Sequence, residues 1–272
     1  MSLLFNPFLQ MALLAGVFAS IAGGIIGSYV VIKRIVFISG SIAHSVLGGM
    51  GLALYLQYKL QLPWLSPIIG AFVFAILSAL LIGWIHLRFS EREDTVIAAL
   101  WASGMALGVL FISLTPASNP ELINFLFGNI LWASTADITL LIVADVIIVA
   151  SVISLHRKLL LICFDDELAK LQKVKIVPLY LFLLCLVALT TVLLIQIVGA
   201  ILVIAMLSLP AAIAGRFTYS LPRMMMIACA LGIIFTAVGL ALSGYLNWPP
   251  GASIAITATA AYLCSLAIQK KN

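Results

Sequence analysis

Nine long apolar runs, separated by short polar breaks, limit what this chain can fold into more than any other feature. They lie at about residues 8–32, 35–57, 64–87, 95–115, 137–155, 177–195, 198–215, 224–245 and 252–268. A helix that crosses the hydrocarbon core of a bilayer, about 30 Å thick, needs about 20 apolar residues. The runs therefore predict an all-α, polytopic integral membrane protein with about eight to nine transmembrane helices. We expect these to form a single transmembrane domain over residues 1–272.

The scarcity of charge excludes most soluble classes of protein. Hydrophobic residues make up 64% of the chain and charged residues 8%, whereas soluble domains carry about 25% charged residues. The net charge of +5 comes from short clusters of Lys and Arg between the apolar runs. We see no basic stripe of the kind that binds nucleic acid, so the expected partner is the lipid bilayer. The four cysteines include no CxxC pair, and we expect neither disulfides nor a structural zinc site.

One apolar segment, Leu122–Ser134, is too short to cross the membrane easily. It follows the helix-breaking sequence Thr115–Pro120, and we interpret it as a re-entrant segment. If it does not cross and the N-terminus is outside, every Lys and Arg except Lys59 is cytoplasmic. This asymmetry agrees with the positive-inside rule.

Three polar side chains inside the apolar runs are candidate metal ligands: His44, Asp137 and Asp145. Polar groups in the bilayer are costly and often functional, and neutral imidazole binds zinc and similar ions. Each of these side chains could instead have a purely structural role. His44 can hydrogen-bond to a neighbour, Asp137 can cap the fifth span, and Asp145 requires a polar neighbour or a cavity.

The cytoplasmic segment Leu160–Lys175 has the pattern of a short amphipathic helix. Acidic residues lie at its start, lysines lie near its end, and apolar residues recur at helical spacing, namely Phe164, Leu168, Leu171 and Val174. Such a helix can dock into a groove of a partner protein. The alternative is a helix that lies on the lipid headgroups.

The sequence contains no GxxxxGK(S/T) phosphate-binding loop. If transport by this chain is driven by ATP, the nucleotide must bind to a separate subunit.

Several short sequences occur in an order that resembles the zinc, manganese and iron permeases of ABC importers, the ABC-3 family. The resemblance covers nearly the whole chain, through the segments Phe5–Phe8, Ala12–Gly16, Ser39–Gly51, Glu93–Ile97, Leu126–Leu131, Phe164–Ala169, Val198–Val203 and Leu209–Ala212.

The resemblance implies an importer of zinc or manganese, possibly iron, in the cell membrane of a prokaryote. It implies a second copy of the permease, two cytoplasmic ATP-binding subunits and an external metal-binding protein as partners. It makes Phe164–Val174 the coupling helix, and the residues expected to contact the ATPase are Phe164, Asp165, Asp166, Glu167, Leu168 and Leu171. It also implies a metal path near His44, no catalytic site in this chain and no tightly bound cofactor other than the transported metal.

Two positions depart from the family pattern. Many members carry aspartate one helical turn before the histidine, where this chain has Gly40. The loss of that carboxylate leaves the choice of metal open. The family also tends to have glycine near Lys173.

Two alternatives use the same residues differently. A secondary metal transporter or channel would need no ATPase, but such proteins line their path with several acids, and this chain offers Asp137 and Asp145. An intramembrane enzyme could pair Ser41 or Ser45 with His44 as nucleophile and base, although no orienting group is evident.

Overall fold

The computed structural model describes residues 7–62, 64–89, 93–115, 128, 130–164 and 166–269, with the backbone alone for Glu93, Asp166, Ile201, Ile268 and Gln269. Within these residues the chain forms ten α-helices and no strand, and a 3₁₀ helix, Ile130–Trp132, lies between the fourth and fifth. The helices are α1 (Pro7–Ile32), α2 (Val36–Leu60), α3 (Pro67–Arg88), α4 (Glu93–Ser113), α5 (Thr135–Phe164), α6 (Asp166–Leu171), α7 (Ile176–Val198), α8 (Ala200–Phe217), α9 (Leu221–Leu246) and α10 (Pro250–Gln269).

Eight of these helices are long and apolar enough to cross a membrane: α1 to α5, α7, α9 and α10. Helix α8 is a shorter apolar helix of 18 residues, which at 1.5 Å per residue is about 27 Å long. The all-α, multi-pass architecture predicted from the apolar runs is confirmed. Each helix from α1 to α5 and from α7 to α10 covers one predicted run.

Helix α5 continues to Phe164, beyond the end predicted at residue 155. Hydropathy falls at His156, Arg157 and Lys158, but no Gly or Pro follows until after Phe164, so nothing breaks the backbone hydrogen bonding. The basic residues therefore extend the helix rather than begin a loop.

Most of the predicted re-entrant segment, Leu122–Ser134, lies outside the described residues. Within it, Gly128 has a positive φ of 71°, and a Cβ atom at this position would overlap the backbone of Val198 and Gly199. Glycine is the residue that tolerates both conditions. The re-entrant path itself stays a prediction.

The backbone contacts divide the chain into two compact units. One includes α1, α8, α9 and α10, and the other includes α2, α3 and α4; α5 is divided after Ser154 and α7 after Val192. The expectation of a single domain over 1–272 stays a prediction.

In the first unit, small residues bring the helix backbones close together. A Cβ atom added to Gly24 of α1 would lie 2.6 Å from the backbone nitrogen of Cys229 in α9. Between α8 and α9 the core consists of Ala211, Ala214, Met224 and Ala228. Such contacts pack helices in lipid, where apolar burial between helices provides little driving force.

In the second unit, α2 packs against both α3 and α4. A Cβ atom at Gly48 of α2 would lie 2.9 Å from the carbonyl oxygen of Gly104 in α4. On another face of α2, Gly49 packs against Gly70 of α3. Most of α2 is buried as a result, and this fixes the surroundings of His44.

Candidate functional site

His44 lies in the middle of α2, on a turn that is held directly against α4. Three residues before it, the hydroxyl of Ser41 donates a hydrogen bond of 3.0 Å to the carbonyl oxygen of Ile97. Ser41 is fully buried, so this bond satisfies a polar group that would otherwise be costly in the apolar interior. The contact fixes the register of α2 on α4 around the histidine.

The His44 side chain stacks on the indole of Trp101 in α4. The ring centroids are 4.2 Å apart and the planes are inclined by 15°. His44 is partly exposed, and among the described residues neither imidazole nitrogen has a hydrogen-bond partner. The stack holds the ring by its face and leaves the nitrogens at its edge available to a ligand.

Sequence reasoning did not identify Trp101. The tryptophan is visible as the only one in the fourth apolar run, but no sequence rule places that run beside His44. The residue becomes relevant only because α2 and α4 are neighbours.

The serines beside His44 do not form a nucleophile–base pair with it. The Ser41 hydroxyl donates to Ile97, and the Ser45 hydroxyl donates to the carbonyl oxygen of Ile42 at 3.0 Å. Both are occupied with backbone acceptors, so the geometry favours packing over the intramembrane enzyme that the sequence left open.

Asp137 caps the N-terminus of α5. One of its carboxylate oxygens accepts hydrogen bonds from the backbone N–H of Ser134 at 2.9 Å and from the Ser134 hydroxyl at 2.7 Å. The Asp137 N–H donates to the Ser134 hydroxyl oxygen at 3.2 Å, which completes a reciprocal capping box. The other carboxylate oxygen accepts a bond from the Gln196 side chain. The capping alternative is present in the structure, and the metal-ligand role stays a prediction.

Asp145 is in a different position. It is 6% exposed, and neither of its carboxylate oxygens has a hydrogen-bond partner in the described part of the chain. The backbone of Ala22 and the thiol of Cys229 are close enough to interact with it electrostatically. A buried carboxylate without partners is costly, and a ligand that neutralises it would lower that cost.

The described residues hold no group of three or more His, Cys, Asp and Glu side chains that could bind a metal ion. Within the described residues, a contact with an ion at these positions therefore uses at most two such side chains. Sites of low affinity suit conduction, because an ion that is held too firmly cannot leave.

The segment predicted as the coupling helix, Phe164–Val174, contains a helix that is shorter than predicted. Helix α6 spans Asp166–Leu171, and Asp165 and the Asp166 side chain lie outside the described residues. Phe164 is 61% exposed and Leu171 is 79% exposed, whereas Ala169 is fully buried. The segment thus presents apolar side chains on its outer surface, and its contact with an ATPase stays a prediction.

Helix α6 ends early because the chain turns at Lys173. This residue has a positive φ of 55°. The N–H of Val174 donates to the carbonyl oxygen of Ala169, and the N–H of Lys173 donates to that of Lys170, each at 3.0 Å. These two bonds define a Schellman motif, in which the left-handed position favours glycine. The departure noted at Lys173 thus falls where the backbone itself favours glycine.

Comparison with known proteins gives consistent matches over nearly the whole chain. The model of a family described as the ABC 3 transport family matches residues 6–269. A probable metal transport system membrane protein of Chlamydia trachomatis is 48% identical and covers 98% of this chain and 91% of its own length. The manganese import system permease protein ScaB of Streptococcus parasanguinis is 33% identical and covers 97% of this chain and 93% of its own length.

A solved structure has the same fold. PsaBC from Streptococcus pneumoniae, determined in complex with Fab, superposes with a TM-score of 0.83 at 31% sequence identity. The match covers 96% of this chain and 91% of that chain.

Proposed function

Because this chain belongs to the ABC 3 transport family, we propose that it is the permease through which an ATP-driven importer brings a divalent transition metal into the cell. It is a multi-pass membrane protein and the permease of a metal ABC transporter. We propose in addition the direction of transport, the metal, the partners and the residues that contact the ion.

One observation carries the proposed metal contact. His44 is an imidazole inside a membrane-spanning helix, held by its face against Trp101 and without a hydrogen-bond partner in the described part of the chain. A histidine that only packs would be expected to bond a neighbouring hydroxyl or carbonyl. We propose that His44 contacts the ion transiently, and that Asp145 is a second polar point for it within this chain.

The choice of metal rests on two considerations. The name of the Streptococcus parasanguinis relative, a manganese import permease, supports manganese. The glycine at position 40, where a carboxylate would favour manganese, supports a metal that accepts imidazole, such as zinc. We therefore propose a divalent transition metal as the cargo, with manganese, zinc and iron to be distinguished by direct competition.

The proposed partners follow from what the chain contains and exposes. Since its sequence has no phosphate-binding loop, a separate cytoplasmic subunit binds and hydrolyses ATP. The exposed apolar residues Phe164, Leu168 and Leu171 are the proposed contact with that subunit, supported by the acidic residues Asp165, Asp166 and Glu167. A second copy of the permease and an external metal-binding protein complete the proposed importer.

The proposed cycle requires no chemistry from this chain. Binding of the loaded external protein and of ATP would favour different conformations of the permease, and α6 would transmit the change in the ATPase to the spans. Two copies of His44, one from each permease, would compensate for the carboxylate that Gly40 does not provide.

The test is metal uptake by vesicles that contain the reconstituted transporter, with wild type compared with His44→Ala. We expect uptake by His44→Ala to fall to the background of vesicles without permease, while ATPase binding is retained. His156→Ala, beside the basic residues Arg157 and Lys158 of α5, is the matched control and should transport normally. Wild-type uptake by His44→Ala would show that the histidine only packs. Uptake that needs no ATP would instead support the secondary transporter.

A further inference from the structure

A basic groove lies beside the end of the coupling segment, entirely within the unit that contains α2, α3 and α4. It has a volume of about 470 Å³. Its lining includes three lysines and several apolar residues contributed by α5, by the turn after α6 and by α7, among them Lys158, Lys173, Lys175, Leu155, Pro178 and Phe182. The lining of the groove does not include the proposed metal contacts His44 and Asp145 or the exposed apolar residues of α6.

Among the described residues, no acidic side chain compensates the charge of the groove. No acidic residue lines it, and within the described residues none of the three lysines has a carboxylate partner. The backbone of Lys173 is fixed by the turn that ends α6, so the base of this side chain is held at the edge of the groove. An anion with several acceptor oxygens matches such a site.

The floor of the groove is apolar and belongs to membrane spans. Phe182 lies in α7 and is 37% exposed, and Leu179 on the same helix is buried. Leu155 lies in α5, and both helices are long and apolar enough to cross a membrane. With both helices across a bilayer, the lysines at their ends would lie at headgroup level and the apolar floor would continue toward the hydrocarbon.

We propose that this groove binds an anionic phospholipid, with the phosphate among Lys158, Lys173 and Lys175 and an acyl chain along Phe182. Basic pockets at the cytoplasmic ends of spans bind such headgroups, and each lysine contributes about fivefold to the affinity. An acidic segment of a soluble partner would match the charge but not the apolar floor. The bound lipid would connect α5 and α7 at the two ends of the coupling segment.

The test uses the purified full-length permease in detergent, with equal amounts of phosphatidylglycerol and phosphatidylcholine, and counts bound lipids by native mass spectrometry. We expect wild type to retain phosphatidylglycerol over phosphatidylcholine. Lys158→Gln should weaken this retention about fivefold, and Lys158→Gln with Lys173→Gln and Lys175→Gln should abolish the preference. Arg157→Gln is the matched control, since Arg157 is the neighbouring exposed cation and does not line the groove.

Three results would overturn the proposal. The first is equal retention of both lipids by wild type, and the second is an equal effect of Lys158→Gln and Arg157→Gln. The third is a triple variant that retains phosphatidylglycerol as wild type does but no longer binds the ATPase when phosphatidylcholine is the only lipid. That result would make the groove a protein-docking surface. Thermal unfolding of each variant establishes that it is folded, and the result does not depend on which metal is transported.

Discussion

The imidazole of His44 and the indole of Trp101 lie face to face, with ring centroids 4.2 Å apart. The two residues belong to different helices, α2 and α4, whose close packing depends on glycine and on the bond from Ser41 to Ile97. The tryptophan thus sets the orientation of the one histidine that lies deep in an apolar run.

Removing this support should reduce transport without removing the proposed ligand. Stacked aromatic pairs contribute about 0.5–1.5 kcal/mol beyond their buried area, which corresponds to roughly two- to tenfold in the population of the held ring. We expect Trp101→Ala to lower metal uptake by about that factor and Trp101→Phe to lower it less. Uptake assays with matched amounts of folded protein measure this, and equal uptake by all three proteins would contradict a positioning role.

The contact between α2 and α4 should not tolerate a methyl group. A Cβ atom at Gly104 would overlap the backbone and side chain of Ser45, whereas one at Gly215 would meet only the mobile end of Met224, at 3.3 Å. We expect Gly104→Ala to lower the free energy of unfolding by about 1–3 kcal/mol. Gly215→Ala should leave it unchanged or raise it by up to about 1 kcal/mol. Thermal unfolding in detergent compares them, and equal shifts would contradict the packing.

Substitution of Asp137 should lower the stability of the protein, whereas substitution of Asp145 should lower metal uptake without lowering stability. Asp137 accepts bonds from Ser134 and Gln196, so Asp137→Ala should destabilise the protein by about 0.5–2 kcal/mol. Asp145 has no bond to lose in the described part of the chain, so Asp145→Asn should not destabilise it and should reduce metal uptake. Unfolding and uptake are measured on both variants. Normal uptake by Asp145→Asn would remove Asp145 from the metal path.

The outer face of α6 should determine ATPase binding. Leu168 is 41% exposed and Leu171 is 79% exposed, so water can solvate a charge at Leu171 in the free permease, and thermal unfolding is measured for both variants. Charging a buried interface anchor commonly costs about 2 kcal/mol, roughly thirtyfold in affinity. We expect Leu168→Asp and Leu171→Asp each to reduce the affinity for the ATPase by roughly thirtyfold and its copurification accordingly. Leu168→Met is the conservative control. Unchanged copurification would assign the coupling contact elsewhere.

The turn after α6 should be stabilised by the glycine that the family tends to have there. Lys173 is in the left-handed region, with φ of 55°, which costs a residue with a side chain about 1 kcal/mol or more. We expect Lys173→Gly to raise the free energy of unfolding by about 0.5–1 kcal/mol relative to Lys173→Ala. Both variants lose the charge and only the first relieves the backbone. Equal stability of the two variants would contradict this explanation.

The sequence by itself determined the number, order and approximate ends of the spans. Hydrocarbon thickness sets helix length, so each apolar run from 8–32 to 252–268 became a helix with ends within a few residues, apart from α5. The spacing of apolar residues also predicted a short helix within Leu160–Lys175, and the resemblance to the family marked Lys173 as a departure. These are local properties, fixed by hydropathy and backbone conformation over a few turns.

Only the tertiary structure decided which side chains meet. Ser41 and Ile97 are 56 positions apart, and Asp137 and Gln196 are 59 apart, so no periodicity relates them. The same holds for Trp101 beside His44 and for Asp145, which is buried without a partner among the described residues. In lipid, helices pair through the close fit of small residues, and that fit depends on the shapes of two helix faces at once rather than on the composition of either.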